Sequence, residues 1–512
     1  MTTDLITDPG VLAAAALLVA GVLAAGFAAR LRVPGLLLFL GLGMAIGALG
    51  WIDLDEPEVA QHAGIVALLV ILFSGGLTTK PSDLRRAAVP GLLLATVGVL
   101  MTAAVVAVAV FFLLGVTPLT AALIGAVVSS TDAAAVFAVV RKAPLPRRLM
   151  SVLEVESGTN DPVAIMLTLG VLEAWLSQPG PLDWVAFGVL QLGGGLAVGL
   201  VAGWVGSAAI HRLELSGESL FPILALGLAG LAYGVAAELG ASGFLAVYVA
   251  GLLVGVRVPR HRRSIRVFHE GLANVAEIGL FLVLGLLVVP TSLPPVTPPA
   301  LAITVVLILL ARPLAVALCT ARQSFTWQEK TLVAWAGLRG AVPIVLATFP
   351  LTAGYPQGAA VFNIVFFVVL ASTAVQGSTV GVVARLLGLR EGARVWAPVA
   401  EALPLDGVEV DLIEVDITDD LSVAGQRIRD VPLPAGALLT ALVHGSQAIV
   451  PTGGTRLRPG DMALITASRR PTMTEEVVAW ARGEPPPDAR AGPQRRRMRR
   501  SPDRRPRVEQ AD

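Results

Sequence analysis

Across 512 residues the chain is 55% hydrophobic and only 15% charged, with a mean hydropathy of +0.76 and a formal net charge of +1. Soluble domains carry about 25% charged residues, so most of this chain is solvated by lipid or by itself. Its single cysteine, Cys319, excludes an intramolecular disulfide, a cysteine zinc cluster and an iron–sulfur site, and its five histidines show no ligand spacing such as HExxH.

Thirteen apolar stretches follow in chain order, at 9–28, 33–50, 61–77, 87–113, 118–140, 150–176, 184–208, 219–237, 241–256, 268–289, 297–318, 329–349 and 359–388. Most approach the roughly 20 residues a helix needs to cross the hydrocarbon. The first lacks a basic leader and continues into further spans, so it reads as a transmembrane helix and not as a cleaved signal. The stretch at 241–256 is short and that at 61–77 marginal, as tilted or partly re-entrant segments are. With the N-terminus outside, the cytoplasmic loops hold Arg30, Arg32, Lys80, Arg85, Arg86, Arg141, Lys142, Arg147, Arg148, Arg212, Arg257, Arg260, Arg262, Arg263, Arg266, Arg322, Lys330, Arg385 and Arg390. The outer loops hold no Lys or Arg, while Asp53, Asp55, Glu56, Glu58 and Asp183 fall there. That asymmetry follows the positive-inside rule, and an odd span count puts the C-terminal region in the cytoplasm. Residues 1–393 therefore read as an all-α polytopic membrane domain.

Residues 394–404 read as a linker and 405–475 as a small cytoplasmic α/β or mostly β domain. Its β-like runs are 411–417 (DLIEVDI), 438–443 (LLTALV), 447–450 (QAIV) and 461–466 (DMALIT), separated by turns at Gly453-Gly454 and Pro459-Gly460-Asp461. Residues 476–512 read as a disordered basic tail, without hydrophobic periodicity from about 484. Its cluster at 495–500 either lies against anionic lipid on the cytoplasmic face or only solubilises the chain.

The costly residues gather in three spans. The fifth contains Ser129, Ser130, Thr131 and Asp132; the sixth holds Glu156, Asn160 and Asp161, followed by Pro162; the twelfth contains Gly337-Leu338-Arg339-Gly340-Ala341-Val342-Pro343. An ionisable group in hydrocarbon is a functional hypothesis by default. Backbone that leaves the helix is tolerated where it lines a cavity or binds an ion. Glu156 and Asn160 are four apart and share a face, with Asp161 about 100° round the helix. A monovalent cation can meet the Asp161 carboxylate, an Asn160 or Ser157 oxygen, and oxygens of Ser130 and Thr131. Arg339 is too costly to leave unpaired; Glu156 is its natural partner in a structural ion pair and Asp132 a second candidate. Asp161 then remains as the carboxylate for which proton and cation compete. If only occupied states cross the membrane, one proton exchanges for one cation with no net charge moved.

Each residue also has a plainer reading. Asp161 and Asp132 can be packing residues bonded to nearby hydroxyls, and Asn160 can orient Asp161 without touching the ion. Glu277, in the tenth span, is an accessory charge facing the cavity or an interfacial residue. Asn363 and Gln376 fit as interhelical polar contacts. The fifth and twelfth spans are each interrupted and each followed by one further span, and such matched interruptions point to a transporter site. Spans one to six and eight to thirteen then form two units, inverted relative to one another because one helix joins them.

STDAAAVF at 130–137, EVESGTNDPVAI at 154–165 and GLRGAVPI at 337–344 resemble the monovalent cation:proton antiporter-1 family, the NhaP-type Na+/H+ and K+/H+ exchangers. The resemblance covers about 9–475. It implies thirteen helices in a NhaA-like inverted repeat, a homodimer in the bacterial inner membrane, and elevator-like movement of a core domain against a dimerisation domain. It implies that Asp161 binds the cation beside Asn160, that Thr131 and Asp132 lie on an unwound helix, and that Glu156 pairs with Arg339. An Asn-Asp pair, where electrogenic relatives have Asp-Asp, goes with electroneutral exchange, and the PVAI run after Asp161 is like the potassium-type members.

LPAGALLTALVHGSQAIVPTGGTRLRPGDMALITA at 433–467 is similar to the TrkA-C (RCK-C) domain, a regulatory module that dimerises and binds small ligands. No GxGxxG fingerprint precedes it, so a dinucleotide site is not implied and its ligand is open. No cofactor and no nucleic-acid partner is expected. A ligand-gated cation channel is the main rival, but it needs a filter such as TVGYG, which the sequence lacks. An organic solute would want a larger, more aromatic site, and a membrane-anchored sensor has no reason to bury these polar clusters. Exchange of Na+ in place of K+ stays an alternative.

Overall fold

Leu-, Ala- and Val-rich runs become helices here because in lipid every backbone polar group must be satisfied within its own segment. The computed structural model describes residues 9–31, 34–50, 56–79, 87, 89–132, 145–177, 180–213, 217–258, 261–389, 401–402, 410–417, 419, 421–444, 447–468 and 473–484. They fall into two compact units, Met1–Arg390 and Glu391–Asp512.

Among its described residues the first unit forms helices and no strand. Its helices are α1 (Pro9–Leu31), α2 (Gly35–Ala48), α3 (Pro57–Thr78), α4 (Val89–Leu114), α5 (Pro118–Val127), α6 (Arg147–Ser177) and α7 (Leu182–Arg212). They continue with α8 (Leu220–Glu238), α9 (Gly243–Arg257), α10 (Arg262–Leu286), α11 (Pro290–Cys319), α12 (Trp327–Trp335), α13 (Ala341–Thr352) and α14 (Gly358–Leu386). Seven of them, α3, α4, α7, α8, α10, α11 and α14, are both long and apolar enough to cross a membrane. Each of the thirteen apolar stretches falls on described helix, with two interruptions. The fifth is helical only to Val127 and leaves the helix before Asp132, while 133–144 lie outside the described residues. The twelfth is two half-helices, α12 and α13, separated at Gly337–Gly340. Helices α4, α7, α11 and α14 each contain one five-residue π turn, at Leu94–Gly98, Leu190–Gly194, Leu307–Ala311 and Thr373–Gly377.

Small residues set how closely these helices approach, as in membrane bundles generally. Gly195, Gly199 and Gly203 of α7 face α9; a Cβ at Gly199 would stand 2.7 Å from the Ala246 carbonyl. Helix α9 is seated as tightly on α3, where a Cβ at Gly251 would lie 2.5 Å from the Phe73 carbonyl. The outward side of α7 exposes Val201 and Trp204, as a lipid-facing surface does.

The second unit is an antiparallel five-stranded sheet in the order β1-β2-β5-β3-β4, with β1 at Glu401–Ala402, β2 at Val410–Asp416, β3 at Ala437–His444, β4 at Gln447–Ile449 and β5 at Asp461–Ser468. One face is packed by Ile413, Val415, Leu439, Leu442, Ala463 and Ile465. Two expectations are corrected. Residues of the expected linker 394–404 supply β1, and the expected tail 476–512 begins inside a helix, α15 (Met473–Arg482). Met473, Val477 and Ala481 are spaced by four, so they line one face and are buried. The Trp480 indole N–H donates to the Val431 carbonyl at 3.1 Å. The basic cluster at 495–500 lies outside the described residues.

Candidate cation site

The two interrupted helices meet at their breaks. After α5 the Ser129 hydroxyl donates back to the Ala126 carbonyl at 2.6 Å, and the chain leaves the helix. The Asp132 N–H then donates to the Leu338 carbonyl, 2.9 Å away in the gap between α12 and α13. Charges sit where the half-helix dipoles want them. Arg339 donates through Nη1 to the Ser129 carbonyl at 2.9 Å and to the Ser130 carbonyl, at the negative end of α5. Asp132 lies against Gly340, which immediately precedes the positive end of α13, and a Cβ at that glycine would collide with its carboxylate. The gap is also braced from α14: Thr373 donates to the Arg339 carbonyl at 2.8 Å, and Gln376 to the Trp335 carbonyl at 2.9 Å.

Helix α6 forms the facing wall. Pro162 lies within it and has no N–H, which leaves the Gly158 carbonyl without its helical donor. Ser157 donates to the Thr131 carbonyl at 2.8 Å. Asn160 donates through Nδ2 to the Thr131 hydroxyl, and to its carbonyl at 3.3 Å. The Ser130 hydroxyl donates to Asp161 Oδ1. Ser130, Thr131, Glu156, Ser157, Asn160, Asp161 and Arg339 are all buried. Among the described residues Asn160 Oδ1 is buried with no hydrogen-bond partner, an acceptor left open. Five of the oxygen-bearing residues expected from the sequence, Ser130, Thr131, Ser157, Asn160 and Asp161, thus converge on one place.

The expected ion pair is corrected. Glu156 pairs with Arg312, not Arg339: Nη1 lies 2.6 Å from Oε1 and Nη2 3.3 Å from Oε2, with both side chains at most 3% exposed. Arg312 projects from α11 just after its π turn and packs against Gly337, where a Cβ would meet the guanidinium. It offers the carboxylate two parallel N–H groups, the geometry a fork donor matches best. Arg339 instead directs Nη1 to the unwound Ser129 and Ser130 carbonyls, which have no helical partner, while its Nε and Nη2 are buried without a hydrogen-bond partner among the described residues. The sequence held the signal for Arg312, since a lone arginine in the eleventh apolar stretch is as costly as a lone aspartate in the sixth.

Other residues lie outside this hydrogen-bonded cluster, Glu277 within electrostatic range of Asp132. Glu277 on α10 is half-buried and makes no hydrogen bond or ion pair among the described residues. Asn363 donates to the Ser292 hydroxyl at 3.2 Å and Gln376 accepts from Ser372 at 2.7 Å, both interhelical or local polar contacts. Among the described residues no cluster of His, Cys, Asp and Glu could hold a metal ion as a group. The carboxylate, amide and hydroxyl oxygens around Asp161 are the ligand types that suit a hard cation.

Residues 14–386 match the family model of the sodium/hydrogen exchanger transmembrane domain, and 412–472 match the TrkA-C domain. The chain belongs to the sodium/hydrogen exchanger family. Within that family, it is 36% identical over 466 residues to the K+/H+ antiporter NhaP2 of Shewanella sp. strain MR-4, covering 88% of this chain and 79% of the relative. It is 38% identical over 448 residues to the K+/H+ antiporter NhaP of Alkalimonas amylolytica, covering 85% and 77%. The Na+/H+ antiporter ApNhaP of Aphanothece halophytica is 29% identical over 69% of each chain. Among solved structures, the sodium proton antiporter MjNhaP1 from Methanocaldococcus jannaschii superposes with a TM-score of 0.66 at 28% identity, covering 74% of this exchanger-family chain and 98% of that one.

Proposed function

We propose that the protein is a secondary antiporter exchanging a monovalent cation for a proton, with Asp161 as the shared carrier. The observation that carries this reading is the division of labour between two buried carboxylates on one helix. Glu156 is committed to Arg312. Asp161 accepts from a neutral hydroxyl, Ser130, and pairs with no cationic side chain among the described residues. A carboxylate held by a neutral donor can exchange a proton for a cation; one locked to a guanidinium cannot. With one exchangeable group, a cation and a proton cross in opposite directions and exchange is electroneutral, one for one. The cation's ligands are the Asp161 carboxylate, Asn160 Oδ1, and oxygens of Ser130, Thr131 and Ser157.

We favour K+ over Na+ as the cargo. The relatives at 36% and 38% identity carry K+/H+ antiporter names, and the Na+/H+ relative is more distant at 29%. The reading extends to thirteen crossings in an inverted repeat, the N-terminus outside, a homodimer, and elevator-like movement of the α5, α6, α12 and α13 core. The TrkA-C domain then serves as a cytoplasmic regulator for a small ligand. Proton flux in proteoliposomes under imposed K+ or Na+ gradients tests the assignment. Flux that follows a K+ gradient and ignores membrane potential is expected; flux driven by potential, or by Na+ alone, overturns the stoichiometry or the choice of cation respectively.

A further inference from the structure

The structure assigns to Tyr248 the role of a gate on the cytoplasmic side of Asp161, an inference that rests on the antiport reading. Tyr248 belongs to α9, which is locked to α3 by close backbone contacts; a Cβ at Gly76 of α3 would collide with the Tyr248 carbonyl. Toward α6 the Tyr248 side chain itself makes the contact. A Cβ at Gly158 would stand 2.7 Å from its hydroxyl oxygen and 3.0 and 3.1 Å from two ring carbons. The ring therefore lies on bare backbone between Ser157 and the Asn160-Asp161 pair, beside the carbonyl that Pro162 leaves without a helical donor. It is 3% exposed. Its hydroxyl is 3.4 Å from that of Thr79, which closes the C-terminus of α3 and donates to the Gly75 carbonyl at 2.8 Å.

Three helices place this ring on the same side of the carrier. Gly158 precedes Asp161 by about one turn toward the N-terminal end of α6. Thr79 is at the C-terminal end of α3, and α9 runs on from Tyr248 toward Arg257. The loops at those three ends carry Lys80, Arg85 and Arg86, then Arg141, Lys142, Arg147 and Arg148, then Arg257 and Arg260. Positive loops mark the cytoplasm. The aromatic ring closes the cytoplasmic path to Asp161 while α6 lies against α9, and Thr79 latches it. Sliding of α6 along α9 would carry Gly158 off the ring and open the path.

The test is thiol labelling. In a Cys319→Ala background, Ser157→Cys reports access to the site, and a membrane-impermeant maleimide is applied to inside-out or right-side-out vesicles. With Tyr248 intact the thiol is reached only through a minor open population. Because such minor states are commonly about 0.1–10% populated, Tyr248→Ala should accelerate labelling by about tenfold or more, from the cytoplasmic face alone. Tyr248→Phe keeps the ring and loses only the latch, so it should stay much nearer the parent, and Thr79→Val, which removes the latch together with the bond to the Gly75 carbonyl, should give a few-fold increase. Equal rates with and without the ring, or acceleration from the outer face or from both faces, overturn the gate. Should Tyr248→Ala fail to fold, Thr79→Val decides, and an unchanged rate there counts against the proposal. Labelling needs no transport, so a wild-type protein that fails to exchange ions removes the antiport reading independently of this result.

Discussion

Removing Arg312 should strand a buried carboxylate, and the size of the loss follows from the geometry. Glu156 and Arg312 are joined by two contacts of 2.6 and 3.3 Å, with side chains 2% and 3% exposed. Breaking one partner of such a pair costs about 3–5 kcal/mol, while replacing both by neutral groups of similar volume is about neutral. Arg312→Met should therefore lower the thermal unfolding midpoint of the purified protein severely, and Glu156→Gln in the same chain should restore most of it. Arg339→Met acts differently. It deprives the Ser129 and Ser130 carbonyls of their donor, a loss of about 1–3 kcal/mol for each buried group left unmade, and Glu156→Gln should not repair it. A double-mutant cycle isolates the pairwise energy. Rescue of Arg339→Met by Glu156→Gln, together with simple additivity at Arg312, would refute the assigned partner.

Ser130→Ala removes the hydroxyl that holds Asp161 and that can also touch the cation. Loss of one such hydrogen bond is worth about 1.4 kcal/mol, so the KM for the cation should rise about tenfold with the protein still folded; an unchanged KM would remove Ser130 from the site. Gly340→Ala places a methyl into the Asp132 carboxylate, and overpacking of this kind costs about 1–3 kcal/mol; transport should fall sharply, whereas Gly381→Ala in α14, whose added Cβ meets nothing, serves as the control and should leave transport near the parent. Ending the chain after residue 484 should leave the sheet domain resistant to proteolysis. Ending it after residue 475 strips off Val477 and Ala481, which are fully buried, at about 1.5–3 kcal/mol for the valine alone, and should make the domain protease-sensitive.

The sequence showed which residues were costly but not which of them touched. Asp161, Asn160, Ser130 and Thr131 could be placed because lipid makes polar groups and broken helix expensive, so their mere presence is informative. Partnering was not legible, because Arg339 was an equally costly candidate for Glu156 but the side chain that reaches Glu156 comes from α11. Arg312 was visible as a lone arginine in an otherwise apolar run, but nothing in the letters tied it to Glu156. The four π turns carry no pattern in the letters, yet the one at Thr373–Gly377 directs Thr373 and Gln376 onto the break between α12 and α13. Hydropathy located the helices well because length and apolarity are what the bilayer demands. It missed α15 because that helix is amphipathic, with Glu475 and Glu476 beside the residues it buries, and polar composition there outweighed a spacing of four.

The central claim is that one carboxylate carries both cargoes, and Asp161→Asn tests it most directly. Asparagine keeps the size and can still accept from Ser130, but it neither titrates nor neutralises a cation. Reconstituted Asp161→Asn protein that is folded by thermal unfolding should show no K+-driven or Na+-driven proton flux, while the wild-type KM for the cation rises as protons compete. Cation-driven proton flux that survives in Asp161→Asn would contradict the account.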